Sequence, residues 1–149
     1  DKDVVLTADF VRLEPLGSLI FASRENTGVI NFAGDTDGYL VEAEAGETIA
    51  AIVTPNDPAV TLTIELVGLS GQFVAPAPGG SVVLPATALP ADGLYEVRVS
   101  GDLGPAAYSL DIYRNAELEG TDTSDGNELP IDGSFVPLGS GRYAVLGSS

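Results

Sequence analysis

Two aspartates two residues apart, in Gly34-Asp35-Thr36-Asp37-Gly38, are the first residues whose types and spacing suggest chemistry. In a tight glycine-bounded turn both carboxylates can converge on a hard cation. Calcium takes about six to eight oxygens and would draw the rest from backbone carbonyls of the turn. The commoner use of the same pattern is an Asx turn, in which aspartate accepts backbone N–H bonds and tolerates unusual backbone angles. No D-x-[DN]-x-[DN]-G loop with a distant glutamate follows, so the pair is not an EF-hand. A second oxygen-rich group, Asp122, Asp125, Asn127, Glu128 and Asp132, lies in an acidic stretch. Such a run reads first as a solvated spacer and second as a segment that calcium would stiffen.

Other chemistries are poorly served. The chain of 149 residues has no Cys, His, Met or Trp. It therefore lacks a thiolate nucleophile, an imidazole base, a Ser-His-Asp triad and the usual zinc and iron ligands. With 22 acids, some pair at a glycosidase spacing is guaranteed and carries no information. A catalytic acid also needs an apolar pocket to raise its pKa, and nearly all the acids fall on polar strand faces or turns. The net charge of −16 repels nucleic acid and anionic membranes. Of the aromatics, Tyr39, Tyr95 and Tyr108 lie on the apolar faces of their strands and read as core. Tyr113 and Tyr143 are the candidates for an exposed, sugar-stacking role.

The elements that must hold these residues read as strands. Val60-Thr-Leu-Thr-Ile-Glu-Leu66 alternates strictly, with Leu62, Ile64 and Leu66 on one face. Leu94–Ser100, Tyr108–Tyr113 and Tyr39–Glu44 repeat the scheme, and period two is the mark of a half-buried strand. Further strands are expected over Val4–Ala8, Ser18–Ala22, Gly28–Phe32, Thr48–Thr54, Gln72–Val74 and Ser81–Leu84. The best helical stretch, Ile30–Ala45, is broken by Gly34, Gly38 and two aspartates. Gly71–Gly80, with Ala75-Pro-Ala-Pro78, reads as a stiff loop of polyproline character. Short strands with frequent turns predict an all-β, antiparallel sandwich or jelly roll.

Composition changes after Tyr113. Residues 115–132 carry six acids and no base, with few apolar residues, and predict a solvated linker after a module covering 1–114. The segment 133–149 turns apolar again. Gly133-Ser-Phe-Val-Pro137 echoes Gly17-Ser-Leu-Ile-Phe21, and Arg142-Tyr-Ala-Val-Leu-Gly147 echoes Gly28-Val-Ile-Asn-Phe-Ala-Gly34. The two matches imply a period of about 115 residues, a common domain size. They predict that 133–149 opens a following repeat, or else adds a strand to an edge. No apolar run approaches the ~20 residues that span a bilayer, and no signal-like segment opens the chain. An internal piece of a longer secreted chain would look this way.

The residues Gly34-Asp-Thr-Asp-Gly-Tyr39, followed by a strand, Ala45-Gly-Glu-Thr48 and another strand, resemble the bacterial pre-peptidase C-terminal domain. Ala91-Asp-Gly-Leu-Tyr-Glu-Val-Arg-Val99 resembles that family's Gly-x-Tyr-x-Val-x-Val strand, and Tyr108-Ser-Leu-Asp-Ile112 its closing Tyr-x-Leu-x-Ile strand. The likeness covers about Gly28 to Tyr113. Gly38 stands where the family often has an aromatic, and Asp57-Pro-Ala-Val-Thr-Leu62 keeps one acid of an Asp-Leu-Asp-Leu pattern. The family is similar in fold to calcium-dependent collagen-binding modules. The resemblance thus implies a non-catalytic repeat module of a secreted or cell-surface bacterial protein, serving as spacer, adhesion or targeting domain. Its partners would be neighbouring domains, or an extracellular polysaccharide or protein. The alternative is a calcium-dependent polysaccharide- or collagen-binding module appended to a secreted hydrolase, with Asp35 and Asp37 as metal ligands.

Overall fold

Alternation of apolar and polar residues decides most of the strands. A computed structural model of the chain describes residues 2–7, 10–12, 21–23, 26–118 and 145–146. In chain order the strands are β1 (Lys2–Thr7), β2 (Phe10–Arg12), β3 (Phe21–Ser23), β4 (Asn26–Ile30), β5 (Thr36–Ala43) and β6 (Thr48–Pro55). There follow β7 (Leu62–Leu66), β8 (Phe73–Val74), β9 (Val82–Ala88), β10 (Gly93–Gly101), β11 (Ala106–Arg114), β12 (Glu117–Leu118) and β13 (Val145–Leu146). No helix occurs among the described residues, and Ile30–Ala45 divides between two strands and a turn. The acidic group Asp122–Asp132, Tyr143, the start of the strand expected at Ser18–Ala22, and most of 115–149 lie outside the described residues.

Two sheets form the sandwich. One has the order β1-β5-β10-β7-β8; the other has β2-β3-β11-β6-β9, with β4 also paired to β11. The long strands β10 and β11 lie at the sheet centres because each is flanked on both sides. Val97 faces Tyr39 and Leu66, while Leu110 faces Asn26 and Val53. Within these two sheets one pairing departs from the expected antiparallel order: β1 runs parallel to β5. A parallel pair needs a long crossover, and the chain between Thr7 and Thr36 supplies it by passing through the opposite sheet.

The inner faces meet in one core. Leu62, Ile64, Leu66, Val97, Val99 and Val41 come from the first sheet, and Ile30, Ile49, Val53, Leu84, Leu110 and Ile112 from the second. Each such side chain contributes about 1.5–3 kcal/mol by leaving water. Tyr39 and Tyr108 are buried as expected, whereas Tyr95 is half-buried and packs against the edge of the core. Tyr113 is half-buried too.

The strand directions also define two ends. At one end lie the turns β4–β5, β6–β7, β8–β9 and β10–β11. At the other lie β5–β6, β7–β8 and β9–β10, together with the exit of β11. Just past that exit, β12 rests against β9 and β6 and pairs in parallel with β13.

Candidate functional site

The strand β4 ends at Ile30, and the chain must cross from one sheet to the other within five residues. Asp35 makes that turn. Its Oδ2 accepts the Asn31 backbone N–H at 2.7 Å and the Asn31 side-chain amide at 3.1 Å, and its Oδ1 accepts the Thr36 N–H at 3.0 Å. The Asp35 N–H donates to Phe32 O at 3.0 Å, and Gly34 takes φ +83°, a conformation that suits glycine. The residue is fully buried (0% exposed). A carboxylate can be buried at this cost only because charge-assisted hydrogen bonds replace its water.

Asp37 points into the sandwich, and its neighbours come from both sheets. The Tyr108 hydroxyl, from β11, donates to Asp37 Oδ2 at 2.6 Å, and the Tyr39 hydroxyl, from β5, lies 2.7 Å from that of Tyr108. Each hydroxyl has one proton. With the Tyr108 proton given to Asp37, Tyr39 must donate to Tyr108, and the chain of donors runs Tyr39 to Tyr108 to Asp37. The Thr27 carbonyl, 3.5 Å from the Tyr39 hydroxyl, is the weaker alternative acceptor. This clasp joins the two sheets through the core.

The clasp fixes the protonation of both phenols. Burial pushes the Tyr108 hydroxyl far above its ordinary pKa, and its bonds to Asp37 and Tyr39 add to the rise. Burial also raises Tyr39; the Tyr108 hydrogen bond partly offsets this, and the Asp37 charge adds to it. Both tyrosines stay protonated and act as donors, so neither can serve as a phenolate base or nucleophile. Gly28, the register partner of Tyr108, makes room for the ring: a Cβ there would lie 2.2 Å from Tyr108 Cζ.

The structure thus brings Asp35 and Asp37 to one turn but gives their carboxylates different tasks. Calcium at this turn would have to take the place of the Asn31, Thr36 and Tyr108 donors. No group of three or more acidic, His or Cys side chains arranged for a metal occurs among the described residues.

A second polar cluster went unread in the sequence. Glu47, in the β5–β6 turn, accepts Arg114 Nη2 on both oxygens at 2.7 and 2.6 Å, the Asn115 amide at 2.9 Å and the Glu44 N–H at 2.8 Å. Asn115 closes the loop, since its N–H donates to Thr48 O and its Oδ1 accepts the Thr48 N–H. Its φ of 59° lies in the left-handed region that asparagine tolerates. Burial alone would raise the Glu47 pKa, but the hydrogen bonds from Glu44, Arg114 and Asn115, with the Arg114 charge, bring it below the usual range. The sequence signal was there in Ala45-Gly-Glu-Thr48 and in an asparagine directly after a strand. Nothing in either segment names the other as its partner.

No protein-family model matches the sequence, and no curated protein does. Several solved structures resemble the chain. A periplasmic inhibitor of g-type lysozyme from Aeromonas hydrophila is 18% identical, with a TM-score of 0.43 over 74% of this chain and 95% of that one. The pre-peptidase C-terminal domain of collagenase from Bacillus anthracis is 14% identical, with a TM-score of 0.41 over 75% of this chain and 92% of its own. A carbohydrate-binding module of Cellvibrio mixtus lichenase 5A, solved with cellotriose, is 17% identical, with a TM-score of 0.35 over 62% and 87%. A pre-peptidase C-terminal domain is therefore among the structures this β-sandwich is similar to. At these values the likeness concerns the course of the chain, and the functional reading rests on this chain's own residues.

Proposed function

We propose that the chain is a non-catalytic β-sandwich repeat module of a secreted or cell-surface protein, acting as an in-line spacer that carries neighbouring domains. What supports the reading is the passage of the backbone from end to end. Lys2 of β1 stands beside Thr36 at the end that carries the β4–β5 turn, and Arg114 of β11 stands beside Ile49 at the opposite end. A nine-residue strand such as β11 advances about 30 Å, so each module would extend a tandem chain by about that length. The repeat between 17–34 and 133–147 supplies the tandem neighbour. The buried acids Asp35 and Asp37 serve the turn and the clasp, and the rest of the negative charge keeps such an array soluble. No helix among the described residues is long and apolar enough to cross a membrane.

Co-sedimentation of the folded chain with insoluble chitin, cellulose and collagen tests this reading. A spacer stays in the supernatant with or without calcium. Retention that requires calcium and is lost in Asp37→Asn would favour the alternative, a calcium-dependent binding module. Thermal melting gives a parallel readout for the turn. If Asp35 and Asp37 serve structure alone, the melting temperature in calcium equals that in chelator. A calcium-dependent rise abolished by Asp37→Asn would assign the pair to a cation.

A further inference from the structure

Three observations meet at the two ends of the sandwich. The first is an apolar surface at the end where β1 starts. Phe32 is 47% exposed and Leu103 is 50% exposed, and they sit on turns that hold each other. The Gly34 N–H donates to Gly101 O, and a Cβ on Gly104 would come within 2.6 Å of the Phe32 nitrogen. The neighbouring β6–β7 turn is tied in as well, since Asp102 accepts the Thr61 N–H at 2.8 Å. The acids here are spent on backbone donors: Asp57 accepts the Ala59 N–H at 2.9 Å, as Asp102 does that of Thr61. A fixed surface that shows water Phe and Leu side chains, on a chain of −16 net charge, is the kind that marks a contact site.

The second observation comes from the repeat. Aligning Gly147 with Gly34 also aligns Gly141 with Gly28, and it places Val145-Leu146 where the first copy has Phe32-Ala33. The third is where the structure puts that pair. Glu117 pairs with Val145 and Leu118 with Leu146, in parallel, just beyond the point where β11 leaves the sandwich. The segment equivalent to the exposed turn of a following copy is thus already seated on the exit strand of this one.

We infer that the exposed Phe32-Ala33 turn of one module docks on the Glu117–Leu118 strand of the copy before it, so that the occupant of the apolar end is the exit strand of a second copy of this chain. The inference rests on the repeat reading above and adds the joint by which the repeats meet. The contact is heterologous, head to tail, and it propagates along an array rather than closing on a dimer. In the isolated chain, Val145-Leu146 occupies the exit strand and acts as a plug. The Phe32 turn then has no strand to receive it, and copies remain separate.

Sedimentation velocity on the full chain tests this, in enough salt to screen the repulsion between acidic copies. Wild type is expected to sediment as a monomer. A double variant, Val145→Pro with Leu146→Pro, removes whichever backbone N–H of the pair faces β12, disfavours the pairing and frees Glu117–Leu118. It is expected to show a sedimentation coefficient that rises with concentration, and Phe32→Ser added to it is expected to restore the monomer. Val145→Asp with Leu146→Asp serves the same purpose without proline, and circular dichroism verifies that each variant keeps its sheet signal. Folded plug variants that stay monomeric would overturn the inference, as would assembly that persists with Phe32→Ser. Neither result bears on the co-sedimentation assay, so failure of the joint and failure of the spacer reading are told apart.

Discussion

At the scale of single residues, the interior polar groups behave as fasteners. Tyr108→Phe removes the donor to a buried carboxylate while keeping the ring, and hydrogen bonds to charged groups are worth about 1.5–3 kcal/mol. Chemical denaturation of Tyr108→Phe is therefore expected to show a loss of about 2 kcal/mol. Tyr39→Phe, one step further along the chain of donors, is expected to cost about 1 kcal/mol. If the two substitutions act through one clasp, the double variant loses less than the sum of the singles; strict additivity would mean that the hydroxyls are energetically separate. Gly28→Ala drives a methyl into the Tyr108 ring from the strand paired beside it, and overpacking of this kind costs about 1–3 kcal/mol.

At the scale of elements, the Glu47–Arg114–Asn115 cluster fastens the β5–β6 turn to the end of β11. Because the folded pKa of Glu47 lies below its ordinary 4.5, its contribution to stability is fully present above that value and is lost as pH falls through the folded pKa. Glu47→Gln is expected to cost about 1 kcal/mol at neutral pH, since the pair is partly solvated. Urea titrations at descending pH should show the gap between wild type and variant narrowing from about pH 4.5 downward. A gap that stays constant to pH 3 would mean that the charge on Glu47 adds nothing. This scale also shows what the amino-acid order could disclose. Strict alternation in 60–66, 94–100 and 108–113 placed the central strands and their buried faces, because period two is a local property. The clasp was legible only in part. Asp37, Tyr39 and Tyr108 were each singled out, two as core and one as a turn acid, but their hydroxyl chain joins residues 71 positions apart in sequence. No local pattern carries that pairing. The parallel placement of β1 was hidden for the same reason, since Lys2–Thr7 reads alike in either direction beside β5.

At the scale of the whole molecule, the clasp makes the two sheets one cooperative unit. Tyrosine near-ultraviolet and backbone far-ultraviolet signals are expected to lose intensity in a single coincident urea transition. Separate transitions would show the sheets unfolding independently. The end-to-end route of the backbone has a mechanical consequence. Tension applied along an array would pull β1 and β11 lengthwise past their neighbours. The ladder bonds in β-sheets lie across the strands, so such a load falls on all the bonds of a pair at once instead of opening them one after another. β1 would be held by its pairing to β5, and β11 by β4, β3 and β6. A fold threaded in this way resists stretching as a rivet resists shear.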